Sequence, residues 1–342
     1  MSALKNHRLF WPVLVLVALL TANAIYRPSF LAVQMRDGHL YGSVIDIVRL
    51  SAPLILVALG MTLVIATGGI DLSVGSICAI SGAVACFYIS QQPDQNSLAS
   101  VLTALVLGLG LALVLGAWNG VLVAIIGIQP IIATLILMVA GRGLAQLITE
   151  GQIITINSSP YKTIGVGHLL TLPFAIFVAL AVTVLLAALT RRTALGMIIE
   201  SVGGNAEASR LAGIRSRRII FLAYVISAVC AAIAGFMLTA NVSSADGNSA
   251  GLWIELDAIL AVVIGGTSLA GGRFFFSGTI LGALIIQTLT TTVYAMDISP
   301  QTSLLFKAVV VIAVCLIQAP AFRDKFTRRK PTAVSQKEQV PA

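Results

Sequence analysis

Side chains able to do chemistry are few in this chain, and they do not cluster. Its 342 residues include three histidines (His7, His39 and His168) and four cysteines (Cys78, Cys86, Cys230 and Cys315). The histidines fall in terminal or loop positions, and the cysteines in or at the edges of apolar runs. No His or Cys/His group has ligand spacing, so no metal site is expected. No lysine follows a glycine, so the phosphate-cradling GxxxxGK[ST] loop is absent. Nothing reads as an enzyme and no cofactor is expected. If the protein moves solute with ATP, another chain must hydrolyse it.

The remaining chemistry is polar side chains inside apolar sequence. Of the 13 Asp and Glu residues, Asp71 alone is expected at depth, with Asp46 and Asp257 near outer edges. A proton- or ion-coupled transporter would need more acids or histidines inside its spans. Arg142, in "VAGRGLAQLIT", is costly in lipid unless it is paired, faces water or snorkels to a headgroup. Its readings are a cavity-lining or gating residue, or a snorkelling one. Asn119, Gln129, Gln146 and Gln287 suit either a path for a hydroxylated solute or hydrogen bonds that tie helices together.

The surrounding elements must be membrane helices. The chain is 58% hydrophobic and only 10% charged, against about 25% charged in a soluble domain. Its apolar runs are too long and uniform for barrel strands. We read one transmembrane domain over residues 1–342, all-α, with about ten spans near 9–26, 44–67, 70–90, 98–126, 129–149, 171–190, 219–240, 256–270, 274–296 and 303–320. The fourth is long and expected to tilt or bend. The eighth is short. The first follows Lys5 and Arg8 and reads as a retained helix.

Charge fixes the expected orientation. Fifteen of the 21 Lys and Arg residues lie before the first span, between the sixth and seventh, between the eighth and ninth, or after the tenth. With ten spans these regions share one side, the cytoplasm by the positive-inside rule. Both termini are then cytoplasmic, with a loop over 191–218 and a tail over 321–342. The net charge of +8 is an orientation signal and not a nucleic-acid footprint.

Two glycine breaks stand out: "GGIDLSVG" at 68–75 and "GGTSLAGG" at 265–272. Both read GGxxLxxG, both follow Val/Ile-rich runs, and their first glycines are 197 residues apart. An even, six-span offset makes them a parallel internal repeat. Breaks in matching segments point to a translocation path, with Gly68, Gly69, Asp71, Asn119, Arg142, Gly265, Gly266 and Thr267 as candidates. The plain alternative is an interhelical turn, with Asp71 as a cap. In the 191–218 loop, "NAEASRLAGI" lies between glycine breaks, Gly203 and Gly204 before it and Gly213 after. Asn205 can cap a short amphipathic helix there, with Glu207 in its first turn.

These stretches, with "AWNGVLVA", "QPIIATLILMVAGRGLA" and "ELDAILAVVIGGTSLAGG", resemble the membrane-spanning permease subunits of bacterial ABC importers for monosaccharides. The resemblance covers nearly the whole chain, and the wording is most similar to the galactofuranose-importer type. It implies an inner-membrane permease that forms the path for galactofuranose or a related aldose. It implies as partners ABC ATPase subunits, a second permease, a different one in the galactofuranose type, and a periplasmic sugar-binding protein. It also implies that the loop around Glu207 is the coupling helix, with Asn205, Glu207, Ala208, Arg210 and Gly213 as the ATPase contact surface. A secondary sugar transporter and a non-transporting membrane scaffold remain the alternatives.

Overall fold

The computed structural model describes residues 9–296, together with 302, 305, 308, 309 and 312. The tenth expected span and the 321–342 tail therefore lie almost wholly outside the described residues. The rest is a bundle of helices: α1 (Phe10–Tyr26), α2 (Ser43–Ala66), α3 (Val74–Ser90), α4 (Leu98–Val121), α5 (Pro130–Ile148), α6 (Ser159–Val166), α7 (Phe174–Arg191), α8 (Leu195–Gly204), α9 (Ala206–Leu211), α10 (Ser216–Val242), α11 (Ile254–Ile264) and α12 (Phe276–Ala295). Six of them, α2, α4, α5, α7, α10 and α12, are long and apolar enough to cross a bilayer, and α1 and α3 are apolar helices of 17 residues.

The bundle has a centre and a rim. From Ser51 to Ala66 every residue of α2 is buried, and α2 packs on α10, α12, α11 and α7. In contrast α4, α5 and α7 bury under a third of their apolar windows. Their exposed faces carry Leu102, Val106, Val114, Val139 and Leu180, as lipid-facing helices should. Close packing follows from small residues. Gly108, Ala112, Gly116 and Gly120 recur every fourth position on α4, and a Cβ on Gly116 would lie 2.6 Å from the Ala228 Cβ of α10. Such a stripe lets two backbones approach within van der Waals contact.

Two sequence expectations gain detail. The fourth segment is α-helix to Val121, then a π turn over Leu122–Ile126 that ends on left-handed Gly127. The eighth, expected over 256–270, is helical for 11 residues only. At 1.5 Å per residue that is about 16 Å, roughly half a hydrocarbon core. Non-helical chain makes up the remainder of that crossing. After α10, Ser244–Ala245 pairs with Ile154–Thr155. The chain then descends to α11, with Gly247 wedged on the Ala145–Gln146 backbone of α5 and Gly251 on Gly75 and Cys78 of α3.

The three short antiparallel ladders lie at one end of the bundle. They are Gln34–Arg36 with His39–Tyr41, Ile154–Thr155 with Ser244–Ala245, and His168–Leu169 with Leu172–Pro173. The helices α8 and α9 lie at the other end. Arg191, Arg192, Arg210, Arg215 and Arg273 share that end with them, while Arg27, Arg36 and Lys162 lie at the ladder end.

Candidate functional site

At the α8–α9 end the chain builds an exposed knuckle. Asn205, in extended backbone, accepts hydrogen bonds at Oδ1 from the amides of Glu207 (3.1 Å) and Ala208 (2.9 Å). These are two of the orphan donors that open any helix. Arg210 lies one turn on from Glu207 and clasps it with two bonds, Nε to Oε2 at 2.9 Å and Nη2 to Oε1 at 2.6 Å. The guanidinium holds the Glu207 carboxyl below the usual range, and the carboxylate holds Arg210 above its own. Gly213, at φ +88°, turns the chain away. Ser216 Oγ donates to the Ala206 carbonyl at 2.9 Å and pins the knuckle to the start of α10. Asn205, Glu207, Ala208, Arg210 and Gly213 are all exposed. A solvent-exposed ion pair adds little stability, so what the clasp fixes is the position of two charges on a surface.

One detail departs from the sequence reading. Gly203 and Gly204 do not precede the short helix as a loop; they form the last turn of a second helix, α8. Asn205 alone separates α8 from α9. Propensity disfavours paired glycines in a helix, and packing overrides it here. A Cβ on Gly203 would fall 1.7 Å from the Ala66 carbonyl oxygen and 2.6 Å from the Gly272 amide. Gly272 N–H donates to that same Ala66 oxygen at 2.9 Å. A Cβ on Gly271 would lie 2.8 Å from Gly203 O and 3.1 Å from Gly68 Cα. The end of α8 and both glycine breaks therefore meet backbone to backbone.

The breaks themselves are helix C-caps of one kind. After α2, Gly68 takes φ +85° and Gly69 N–H returns to Val64 O. After α11, Gly266 takes φ +86° and Thr267 N–H returns to Val262 O. This is the left-handed cap with its six-to-one hydrogen bond. It aligns Gly68 with Gly266, one residue out of step with the sequence register of GGxxLxxG. Gly69 abuts Tyr224, where a Cβ would lie 2.6 Å from the hydroxyl. Gly265 serves packing, since a Cβ would lie 2.4 Å from the Gly278 carbonyl carbon of α12.

The polar candidates are held by the fold. Asp71 is buried and accepts from Ser73 N (3.1 Å), Ser73 Oγ (2.6 Å) and Ser227 Oγ (2.9 Å). Asn119 Nδ2 donates to Ser73 Oγ at 2.8 Å. Thr267 Oγ1 accepts from Phe275 N at 3.3 Å. Arg142 reaches into the bundle: Nη1 donates to the carbonyls of Ala250 (2.6 Å) and Gly247 (3.4 Å). It thereby satisfies carbonyls in the run of turns before α11, where the backbone has no helix to bond within. Sequence reasoning missed Glu255. It is 4% exposed, and its Oε2 is buried without a hydrogen-bond partner among the described residues. Nothing in its local sequence places it deeper than Asp257; only the descent of residues 246–253 does. Cys78, Cys86 and Cys230 are buried free thiols; Cys315 lies outside the described residues.

Comparison with known proteins adds the family. The model of the family described as "Branched-chain amino acid transport system / permease component" matches residues 43–315. The chain is 49% identical over 322 residues to the galactofuranose transporter permease protein YtfT of Escherichia coli (strain K12), covering 93% of each. It is 41% identical over 327 residues to the fructose import permease protein FruF of Bifidobacterium longum (strain NCC 2705), covering 94% of this chain and 90% of the relative. It is 34% identical over 317 residues to the ribose import permease protein RbsC of Haemophilus influenzae, covering 92% and 93%. No solved structure gives a significant match. With multiple apolar spans, an exposed knuckle at one end and this likeness along nearly its whole length, the chain belongs to that family of transport-system permease components, and is a multi-pass membrane protein.

Proposed function

We propose that the chain is the translocation subunit of an ATP-driven importer for a monosaccharide, galactofuranose or a related sugar, and that α9 is where an ATPase pushes. The family description names branched-chain amino acids, yet the full-length relatives at 34–49% identity carry sugar names. Identity that high over whole chains favours the sugar. The basic end that carries α8 and α9 then faces the cytoplasm, with both termini. The ladder end faces a periplasmic binding protein, and a second permease completes the path, in a heterodimer for the galactofuranose type. Catalysis of ATP hydrolysis lies on the partner.

One observation carries the mechanical reading. The exposed knuckle is joined through a single residue, Asn205, to Gly203, and Gly203 lies against both Ala66 and Gly272. Displacing α9 must displace α8, and α8 has no soft side chain between it and the two caps. A push at the surface thus reaches the ends of α2 and α11 together. Asp71, Ser73, Ser227 and Asn119 keep the first break in register while this happens.

The test inverts the surface. Glu207→Lys with Arg210→Glu keeps the ion pair and swaps its ends. The expected outcome is ATP-dependent uptake reduced at least tenfold, with loss of ATPase co-purification and an unchanged melting temperature in detergent. Uptake at the unsubstituted rate removes α9 as the coupling element. Uptake without ATP that collapses with an uncoupler would make the protein a secondary transporter instead, and the absence of any sugar uptake would make it a scaffold.

A further inference from the structure

A cavity of about 210 Å³ lies away from the α9 knuckle, between α2, α10, α11 and α12. At roughly 30 Å³ per water it has room for about seven waters, which is the scale of one sugar ring. Its walls divide by chemistry. Leu50, Pro53 and Leu54 of α2 supply an apolar wall, and Ser249, Asp257 and Gln287 supply polar groups. A second, smaller cavity of about 40 Å³ shares Leu50, Pro53 and Leu238 with it.

Its depth follows from helix register. Pro53 lies near the middle of α2 and Gln287 near the middle of α12. The small-residue contacts Gly265 with Gly278 and Ala261 with Gly282 run α11 antiparallel to α12. One turn further from the junction, Asp257 comes level with residues 286–287. The cavity therefore lies at mid-depth, beside the point where the descending turns give way to the half-helix α11. Pro53 has no amide proton, so it frees the carbonyl four residues back from its helix donor. The Gln287 carboxamide is half-buried and makes no hydrogen bond to another described residue.

We propose that this cavity is a monosaccharide-binding station on the translocation path, with Asp257, Gln287 and Ser249 reading ring hydroxyls and the α2 wall covering the C–H face. A sugar hydroxyl both donates and accepts. A carboxylate that accepts, a carboxamide that does both and the oxygen of Ser249, whose proton goes to Asp246, match it. One apolar wall with a few convergent polar groups is the general form of a small-molecule site. The inference rests on the sugar-importer reading above and adds a place for the sugar.

The experiment uses the complete complex with its ATPase, second permease and binding protein in proteoliposomes, with radiolabelled D-galactose, D-fructose and D-ribose as probes. Gln287→Leu and Asp257→Asn are expected each to raise the uptake KM at least fivefold and to change the preference among the three sugars, while ATPase stimulation by the loaded binding protein stays within twofold. Gln287→Cys, labelled by a maleimide in parallel with the unsubstituted chain, should react, and millimolar transported sugar should protect it. Unchanged KM and preference in both variants overturns the station, as does labelling of Gln287→Cys that no sugar slows. Failure of the unsubstituted complex to take up any of the three sugars on ATP strikes the importer reading beneath it.

Discussion

The two glycine breaks share a cap and differ in everything around it. Both close a buried helix with a left-handed glycine, Gly68 after α2 and Gly266 after α11. The first then passes through a buried polar knot in which Asp71 takes three hydrogen bonds from Ser73 and Ser227, and Asn119 ties Ser73 to α4. The second passes through Ser268, Leu269 and Ala270, all exposed, and two more left-handed glycines, Gly271 and Gly272. A buried hydrogen-bonded network is stiff, and removing its shared acceptor is heavily penalised; in this one Asn119 Oδ1 alone has no hydrogen-bond partner among the described residues. An exposed glycine-rich turn has neither property. The comparison suggests a division of labour, in which the first break is an anchor and the second is the part that gives when α8 moves.

Five substitutions, in three tests, probe that division in falling order of effect. Gly203→Val drives a branched side chain into the Ala66 carbonyl where even a Cβ has 1.7 Å. It should abolish uptake and lower the melting temperature, since overpacking against backbone has no rotamer to relieve it. Normal uptake by this variant would mean that the junction carries no force. Asp71→Ala strands the hydroxyls of Ser73 and Ser227 at once, both buried. A loss of about 2–4 kcal/mol is expected, read as a lower detergent melting temperature, whereas Ser268→Ala in the second break should leave it unmoved. Equal effects at the two sites would erase the contrast. Gly68→Ala and Gly266→Ala sharpen the shared part. Both have open space for a Cβ and a positive φ, so each should cost about 1–2 kcal/mol for left-handed backbone alone. A large difference between them would show that the caps are not equivalent.

Much of this site is legible in sequence because its signals are local. Asn205 before a run of helix formers reads as a cap, and it is one. Glu207 reads as a first-turn acid of that helix, and it is one, paired with Arg210 one turn on. Adjacent glycines after apolar runs read as helix ends. The failures are non-local. Gly203 and Gly204 look like a break, because nothing nearby says that Ala66 and Gly272 will press on that turn. Arg142 leaves two readings open, because its acceptors are carbonyls more than a hundred residues away. Glu255 and Asp257 look like loop-edge acids, because their depth depends on a descending run of turns that sequence reads only as a connection.

By itself the sequence determined that this protein lives in lipid, which of its ends is basic, where its buried helices stop and which short helix is offered to solvent. Each of these is set by hydropathy, by charge count or by the backbone preferences of residues a few positions apart. Tertiary structure alone decided that three distant turns meet at Gly203, that one crossing is half turns and half helix, and that Asp257 and Gln287 face one cavity. Those depend on how closely helix backbones approach, which is a property of pairs of surfaces and is written in neither surface alone.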